Sequence, residues 1–251
     1  ASALVLLPCG IEIYFITNPL NGHPVDLGWL GIPLTVFWVV AVTNAVNLID
    51  GLDGLAGGVS LIAALTMAAV GFVQWKVFGA ADQQEVILLA LLLAAALLGF
   101  LRHNFHPATI FLGDAGSMLL GYALAALSVM GLTKSVTAVA VVLPLLILGI
   151  PLLDTFLAIL RRYFNRRPIF APDKEHLHHQ LLALGLSHRQ AVLTIYGISA
   201  LLGVCAVFLV FLAVSHALLL LAVLAAGIVS AASRLGLVGR QLGKKGQVKE
   251  M

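Results

Sequence analysis

Long apolar runs, separated only by short polar punctuation, leave this chain few ways to fold. Crossing hydrocarbon takes about 20 mostly apolar residues as a helix, and eight stretches approach that length. They fall near residues 1–15, 29–47, 54–75, 85–101, 113–131, 135–160, 191–212 and 215–233, the first of them short. The 251 residues are 61% hydrophobic and 10% charged, with a mean hydropathy of +1.07, far more apolar than a soluble domain. The expected fold class is all-α, a polytopic transmembrane helical bundle. Pro33, Pro144 and Pro151 lie within the runs, where membrane helices tolerate them better than soluble ones do.

Lys and Arg set the orientation, because they accumulate in cytoplasmic loops. Threading the runs alternately puts Arg102, Arg161, Arg162, Arg166, Arg167, Lys174, Arg189, Arg234, Arg240, Lys244, Lys245 and Lys249 on one face. Only Lys76 and Lys134, of fourteen basic residues, lie on the other. The first face is therefore expected to be cytoplasmic, and the polar clusters described next fall on it. The net charge of +3 reads as this topological bias. No basic stretch is interleaved with stacking aromatics, so nucleic acid is not an expected partner, and anionic membrane lipid is. The chain reads as one membrane domain over 1–251, with a basic, histidine-bearing cytoplasmic loop at 161–190 and a basic tail at 234–251. Cys9 and Cys205 sit far apart inside apolar runs and suggest neither a disulfide framework nor a thiolate metal site.

Three clusters carry polar groups that an apolar chain has no structural need for. A charged side chain in hydrocarbon costs at least about 2.5–3.5 kcal/mol, so such residues usually face a bundle interior or a wet cavity. The first cluster is Asn44-Ala-Val-Asn47-Leu-Ile-Asp50-Gly-Leu-Asp53-Gly54. If the helix continues, Asn44, Asn47, Asp50 and Asp53 form one stripe; Gly51 and Gly54 break it otherwise. Either way two carboxylates are expected a few ångströms apart, suited to a hard divalent cation, a sugar hydroxyl or a shared proton, or else to a polar staple between helices.

The second cluster runs from Arg102-His103-Asn104-Phe105 to Phe111-Leu-Gly113-Asp114-Ala-Gly116-Ser117. Asp114 opens the next helix, where a carboxylate suits the dipole, and Asp114 or Ser117 could simply cap it. Gly113 and Gly116 leave backbone N–H groups open to a phosphate or metal–phosphate unit. The third cluster holds Lys174-Glu-His176-Leu-His178-His179. It lacks a convincing fourth zinc ligand, and its spacing is not the i, i+4 pair of a metalloprotease. With Lys174, Arg166 and Arg167, the imidazoles suit a pyrophosphate instead. Asp154 reads equally well as an ion-pair partner of Arg161 or as a site residue, and His188 and Arg189 as caps of the following run.

Taken in order, 44–56, 111–117 and 176–179 resemble the polyprenyl-phosphate N-acetylhexosamine-1-phosphate transferases over essentially the whole chain. The histidine run is closest to the N-acetylglucosamine branch. That resemblance implies transfer of a sugar 1-phosphate from a UDP-sugar to undecaprenyl phosphate, with Mg²⁺ or in its place Mn²⁺, at the cytoplasmic face of the bacterial inner membrane. It also implies a possible homodimer. Carried over by motif, Asp114 is the metal ligand, and Asp50, Asp53, His176, His178 and His179 are catalytic. Asn47, Asn104, Phe111, Arg102 and Lys174 bind substrate.

The family also carries an adjacent Asp-Asp pair and a nearby Lys on an earlier segment, and this chain has no Asp-Asp. The resemblance therefore implies a ten- or eleven-span protein without its first spans, and a piece inactive alone. Two other readings compete with it: a phospho-N-acetylmuramoyl-pentapeptide transferase, and an ion-coupled transporter. The transporter reading expects midplane sites and repeated halves, and neither is visible here.

Overall fold

The structure is a computed structural model that describes residues 2–17, 23–133, 142–164, 166, 168, 176–212 and 214–234. Its helices are α1 Gly31–Ile49, α2 Leu55–Phe78, α3 Gln83–Asn104, α4 Gly113–Thr133, α5 Val142–Ile147, α6 Gly149–Phe164, α7 Leu177–Ala183, α8 His188–Leu209 and α9 Val214–Arg234. Among the described residues, five helices are long and apolar enough to cross a membrane, namely α1 with the turn before it, α2, α3, α4 and α8. The chain is an all-α, multi-pass membrane protein.

The first expected span is not one. Residues 2–9 form two short 3₁₀ turns, Ser2–Val5 and Leu7–Cys9, closed by Gly10 at φ +71°. The chain then turns into β1, Phe15–Thr17, paired antiparallel with β2, Pro24–Asp26. Pro8 removes a backbone donor, Gly10 adopts the left-handed conformation that ends helices, and fifteen residues fall short of a span. The expected run at 135–160 is likewise divided. Its described part is α5 and α6, with Pro151 unable to donate at the junction, and 135–141 lie outside the described residues. The loop expected at 161–190 contains α7.

Helices that cannot gain by hiding apolar surface from lipid associate by close packing, and small residues allow it. On α1, Thr35, Val39, Val42, Val46 and Ile49 form one buried stripe at helical spacing, facing α4 and α6. The α1–α4 contact is tightest at Gly121, where a Cβ would lie 2.6 Å from the Thr43 Cα and 3.0 Å from its carbonyl oxygen. Trp38 Nε1 donates to Ser128 Oγ across the same pair at 2.8 Å. Helix α2, buried over much of its circumference, packs against α3, α4 and α8. Gly58 of α2 receives the ring of Tyr196 from α8, and Gly203 of α8 receives Thr66 from α2. Helix α3 buries Val86, Ala90, Ala94 and Leu97 and leaves Leu88, Leu91, Leu92 and Leu98 outward, as a lipid-facing helix does. Residues 212–251 form a separate unit whose described part is α9.

Replacing Gly121 by Ala is expected to lower the stability of the detergent-solubilised protein by about 1–3 kcal/mol, because backbone rather than a movable side chain blocks the methyl. Gly99→Ala, on exposed α3 with open space around it, is expected to be neutral or to stabilise by up to about 1 kcal/mol. Thermal melts of the two variants side by side test the contact.

Candidate functional site

The ends of α1 and α3 and the starts of α2, α4 and α8 converge at one end of the bundle. The turn between α1 and α2 sets their arrangement. Helix α1 stops at Ile49, Asp50 leaves the helical region, and Gly54 opens α2 at φ +80°, a conformation that favours glycine. The N–H of Gly54 donates to Asn104 Oδ1 at 3.1 Å, and its carbonyl accepts from the Tyr196 hydroxyl. Asn104 Nδ2 donates to the Ile110 carbonyl at 2.9 Å, so this side chain, 4% exposed, joins the α1–α2 and α3–α4 loops. The α3–α4 loop is folded further by Thr109 and Ile110, whose N–H groups both donate to the His103 carbonyl.

The glycines therefore cut the expected Asn44–Asp53 stripe. Exposed Asn44 donates to the Val40 carbonyl within α1. Asn47 reaches across to α4, donating to Ser117 Oγ at 2.9 Å and to Asp114 Oδ1 at 3.3 Å. The carboxylate that bears on Asp50 is that of Asp114: burial, and then the charge of Asp114, push Asp50 up to about 6. Asp114 is exposed in the first turn of α4, beside Gly113 at φ +66°. Ser117 does not cap the helix, since its hydroxyl donates back to the Gly113 and Asp114 carbonyls. Phe111, two residues before Gly113, is 73% exposed. Two acidic groups and an amide facing one another form an oxygen-rich set of the kind hard divalent cations take.

Asp53 turns to different partners. His106 Nδ1 lies 2.8 Å from its Oδ2, and the Ala108 N–H donates to the same oxygen at 3.2 Å. These bonds, the His106 one foremost, hold Asp53 below the usual carboxylate range. His106 stacks on His188 with ring centroids 4.0 Å apart, and Arg189 Nε donates to the His106 carbonyl at 3.1 Å. Asp53, His106 and His188 each present a ligand atom within 4.8 Å of the others, a spacing a metal ion could bridge. His188 and Arg189 do not cap α8. Ser187 does, in a capping box with Gln190. The His106 partnership was missed from sequence, where the residue is a lone histidine before a proline.

The third cluster docks onto the first. Asp154 of α6 meets His176 Nδ1 at 3.0 Å and accepts from the Leu177 N–H at 2.8 Å. His178, on α7, is 2% exposed and packs so closely on Gly51 that a Cβ there would lie 2.3 Å from its Nε2. Neither ring nitrogen of His178 has a hydrogen-bond partner among the described residues. Burial, then the neighbouring His179, lower its pKa to about 4. His179 is exposed, its ring 4.2 Å from that of His178. Arg102 is exposed at the end of α3, and Lys174 lies outside the described residues.

Comparison with known proteins gives the family. The family model for glycosyl transferase family 4 matches residues 1–132, and the chain belongs to that family. It is 47% identical over 207 residues to a probable undecaprenyl-phosphate N-acetylglucosaminyl 1-phosphate transferase of Bacillus subtilis, covering 82% of this chain and 56% of the relative. It is 40% identical over 214 residues to a decaprenyl-phosphate N-acetylglucosaminephosphotransferase of Mycobacterium tuberculosis (78% and 52%). A phospho-N-acetylmuramoyl-pentapeptide-transferase of Moorella thermoacetica is 36% identical over 203 residues (77% and 57%). The chain spans about half the length of the curated relatives it matches.

The buried imidazole of His178 makes stability depend on pH. Its folded pKa of about 4 lies below the ordinary 6.5, so the unfolded chain binds the extra proton between those values. Stability is full above about 6.5 and falls as the pH drops towards 4, by on the order of 3 kcal/mol. Melting curves across that window are expected to show a smaller acid-side loss for His178→Leu than for the unsubstituted protein.

Proposed function

We propose that the protein transfers N-acetylglucosamine 1-phosphate from UDP-N-acetylglucosamine to undecaprenyl phosphate at the cytoplasmic face of the bacterial inner membrane. UMP is released, and synthesis of a cell-envelope polysaccharide or teichoic-acid-type glycan begins. The observation that carries this reading is the Asn47–Asp114 bridge beside Asp50, with the exposed ring of Phe111 two residues from Gly113. The names of the Bacillus and Mycobacterium relatives support it. The lower identity to the pentapeptide transferase favours the N-acetylglucosamine donor over the larger one. Polar groups gathered at helix ends rather than at the midplane argue against a transporter.

Asp114, Asp50 and Asn47 would hold Mg²⁺ or Mn²⁺, which when bound offsets the negative charge of the donor's pyrophosphate. The nitrogen-bearing set of Asp53, His106 and His188 suits softer cations, so we assign Mg²⁺ to the oxygen set. Phe111 stacks on the uracil. The exposed His179, with Arg102 and Lys174, donates to phosphate oxygens, and the first turn of α4 offers backbone N–H groups to the same charge. The protein then holds donor and acceptor in line. An oxygen of the lipid phosphate bonds to the β-phosphorus, the bond between that phosphorus and the α–β bridging oxygen breaks, and UMP leaves with the bridging oxygen. Positioning supplies most of the acceleration.

The test uses the intact protein in detergent with undecaprenyl phosphate and Mg²⁺, following UMP release. Release is expected from UDP-N-acetylglucosamine and not from UDP-N-acetylmuramoyl-pentapeptide. Asp114→Asn is expected to lower it on the order of 100-fold or more. The reverse donor preference, or no release from either, overturns the reading. Phe111→Ala is expected to raise the KM for the UDP-sugar about tenfold, the effect of losing one base–aromatic stack, with Phe111→Tyr close to the parent.

A further inference from the structure

Asp154 and His176 form a hydrogen-bonded pair that is almost closed to solvent, at 5% and 6% exposed. Both carboxylate oxygens are engaged on the same short segment: Oδ2 with His176 Nδ1 at 3.0 Å, Oδ1 with the Leu177 N–H at 2.8 Å. A carboxylate has no hydrogen to give, so the proton between Asp154 and the ring belongs to Nδ1. The second ring nitrogen, Nε2, is then the one left for other partners. One side chain on α6 thereby fixes both the start of α7 and the tautomer of its leading histidine. The far side of the same segment is fixed independently, by the packing of His178 on Gly51 in the turn that carries Asp50. The His176 and His178 rings lie almost parallel, 3° apart in orientation with centroids separated by 6.0 Å, as expected of a segment held from both sides.

We infer that Asp154 is a positioning residue: it sets the orientation and tautomer of His176, and through Leu177 the placement of the histidine segment against the Asp50 turn. It touches no substrate itself. Its catalytic consequence rests on the transferase reading above, in which His176 is catalytic by its place in the histidine motif; its structural consequence does not. The discriminating substitution is Asp154→Asn. The amide oxygen still accepts from the Leu177 N–H, so the segment stays anchored. The amide NH₂ presents a donor to His176 Nδ1, which must then become an acceptor, and the ring proton moves to Nε2.

Two measurements on the intact purified protein decide the matter. In ¹⁵N-histidine spectra, with His176 assigned by its loss in His176→Gln, Nδ1 is expected to carry the proton in the parent and Nε2 in Asp154→Asn. This reading needs no turnover, so it stands even if the donor assay is silent and the transferase reading fails. In the UMP-release assay, Asp154→Asn is expected to lower kcat about 10- to 100-fold, on the scale seen for carboxylates that orient metal-bound imidazoles. The donor KM is expected to stay within about threefold and the melting temperature to remain near the parent's. Asp154→Glu, which restores the carboxylate, is expected to recover part of the kcat. An Nδ1 without its proton in the parent, a tautomer unchanged in Asp154→Asn, or an unchanged kcat in an active parent overturns the inference.

Discussion

Where helix ends meet, backbone groups that hydrocarbon cannot solvate must find partners inside the protein, and the buried amide of Asn104 supplies two. Its oxygen takes the N–H of Gly54 and its nitrogen serves the carbonyl of Ile110. One side chain thus fixes the α1–α2 turn to the α3–α4 loop. Asp50, Asp53 and Asp114 stand on or directly after one or other of these connections. Leaving either backbone group buried and unpaired would cost about 1–3 kcal/mol. The Tyr196 hydroxyl on the Gly54 carbonyl brings α8 into the same knot.

Around that knot the acidic groups divide into two environments. Asp50 is pushed up by burial and then by the charge of Asp114, so it resists ionising there unless a cation is near. Asp53 is held down by His106 and the Ala108 N–H, and keeps its charge. Carboxylates three residues apart in the chain therefore have opposite electrostatic tendencies, because Gly51 and Gly54 turn the backbone between them. The histidine segment adds a third environment. There Asp154 orders one ring, while burial keeps the next one neutral.

Much of this was legible beforehand. Among the described residues, five of the eight apolar runs are helices long and apolar enough to span a membrane, and the described parts of the three polar clusters meet at one end, as alternate threading required. The first run failed because Pro8 and Gly10 interrupt it, and hydropathy averaged over a window does not register such breaks. Asn104, expected from the resemblance to bind substrate, joins two loops through its side chain, which no sequence pattern indicates. His106 carried no periodic or motif signal, and its partnership with Asp53 spans 53 residues of sequence. His188 and Arg189 were read as caps, a role that Ser187 and Gln190 fill.

Composition and run length alone determined that this chain is a helical membrane protein, because hydrocarbon penalises any backbone group left without a partner. Motif order likewise made its family recognisable. Only the tertiary structure decided which carboxylate faces which. Asp50 answers to Asp114, Asp53 to His106 and Asp154 to His176. Such pairings depend on where helices end and how closely glycines such as Gly51, Gly58 and Gly121 let neighbours approach, and those distances are set by packing across the bundle rather than by adjacency in the chain.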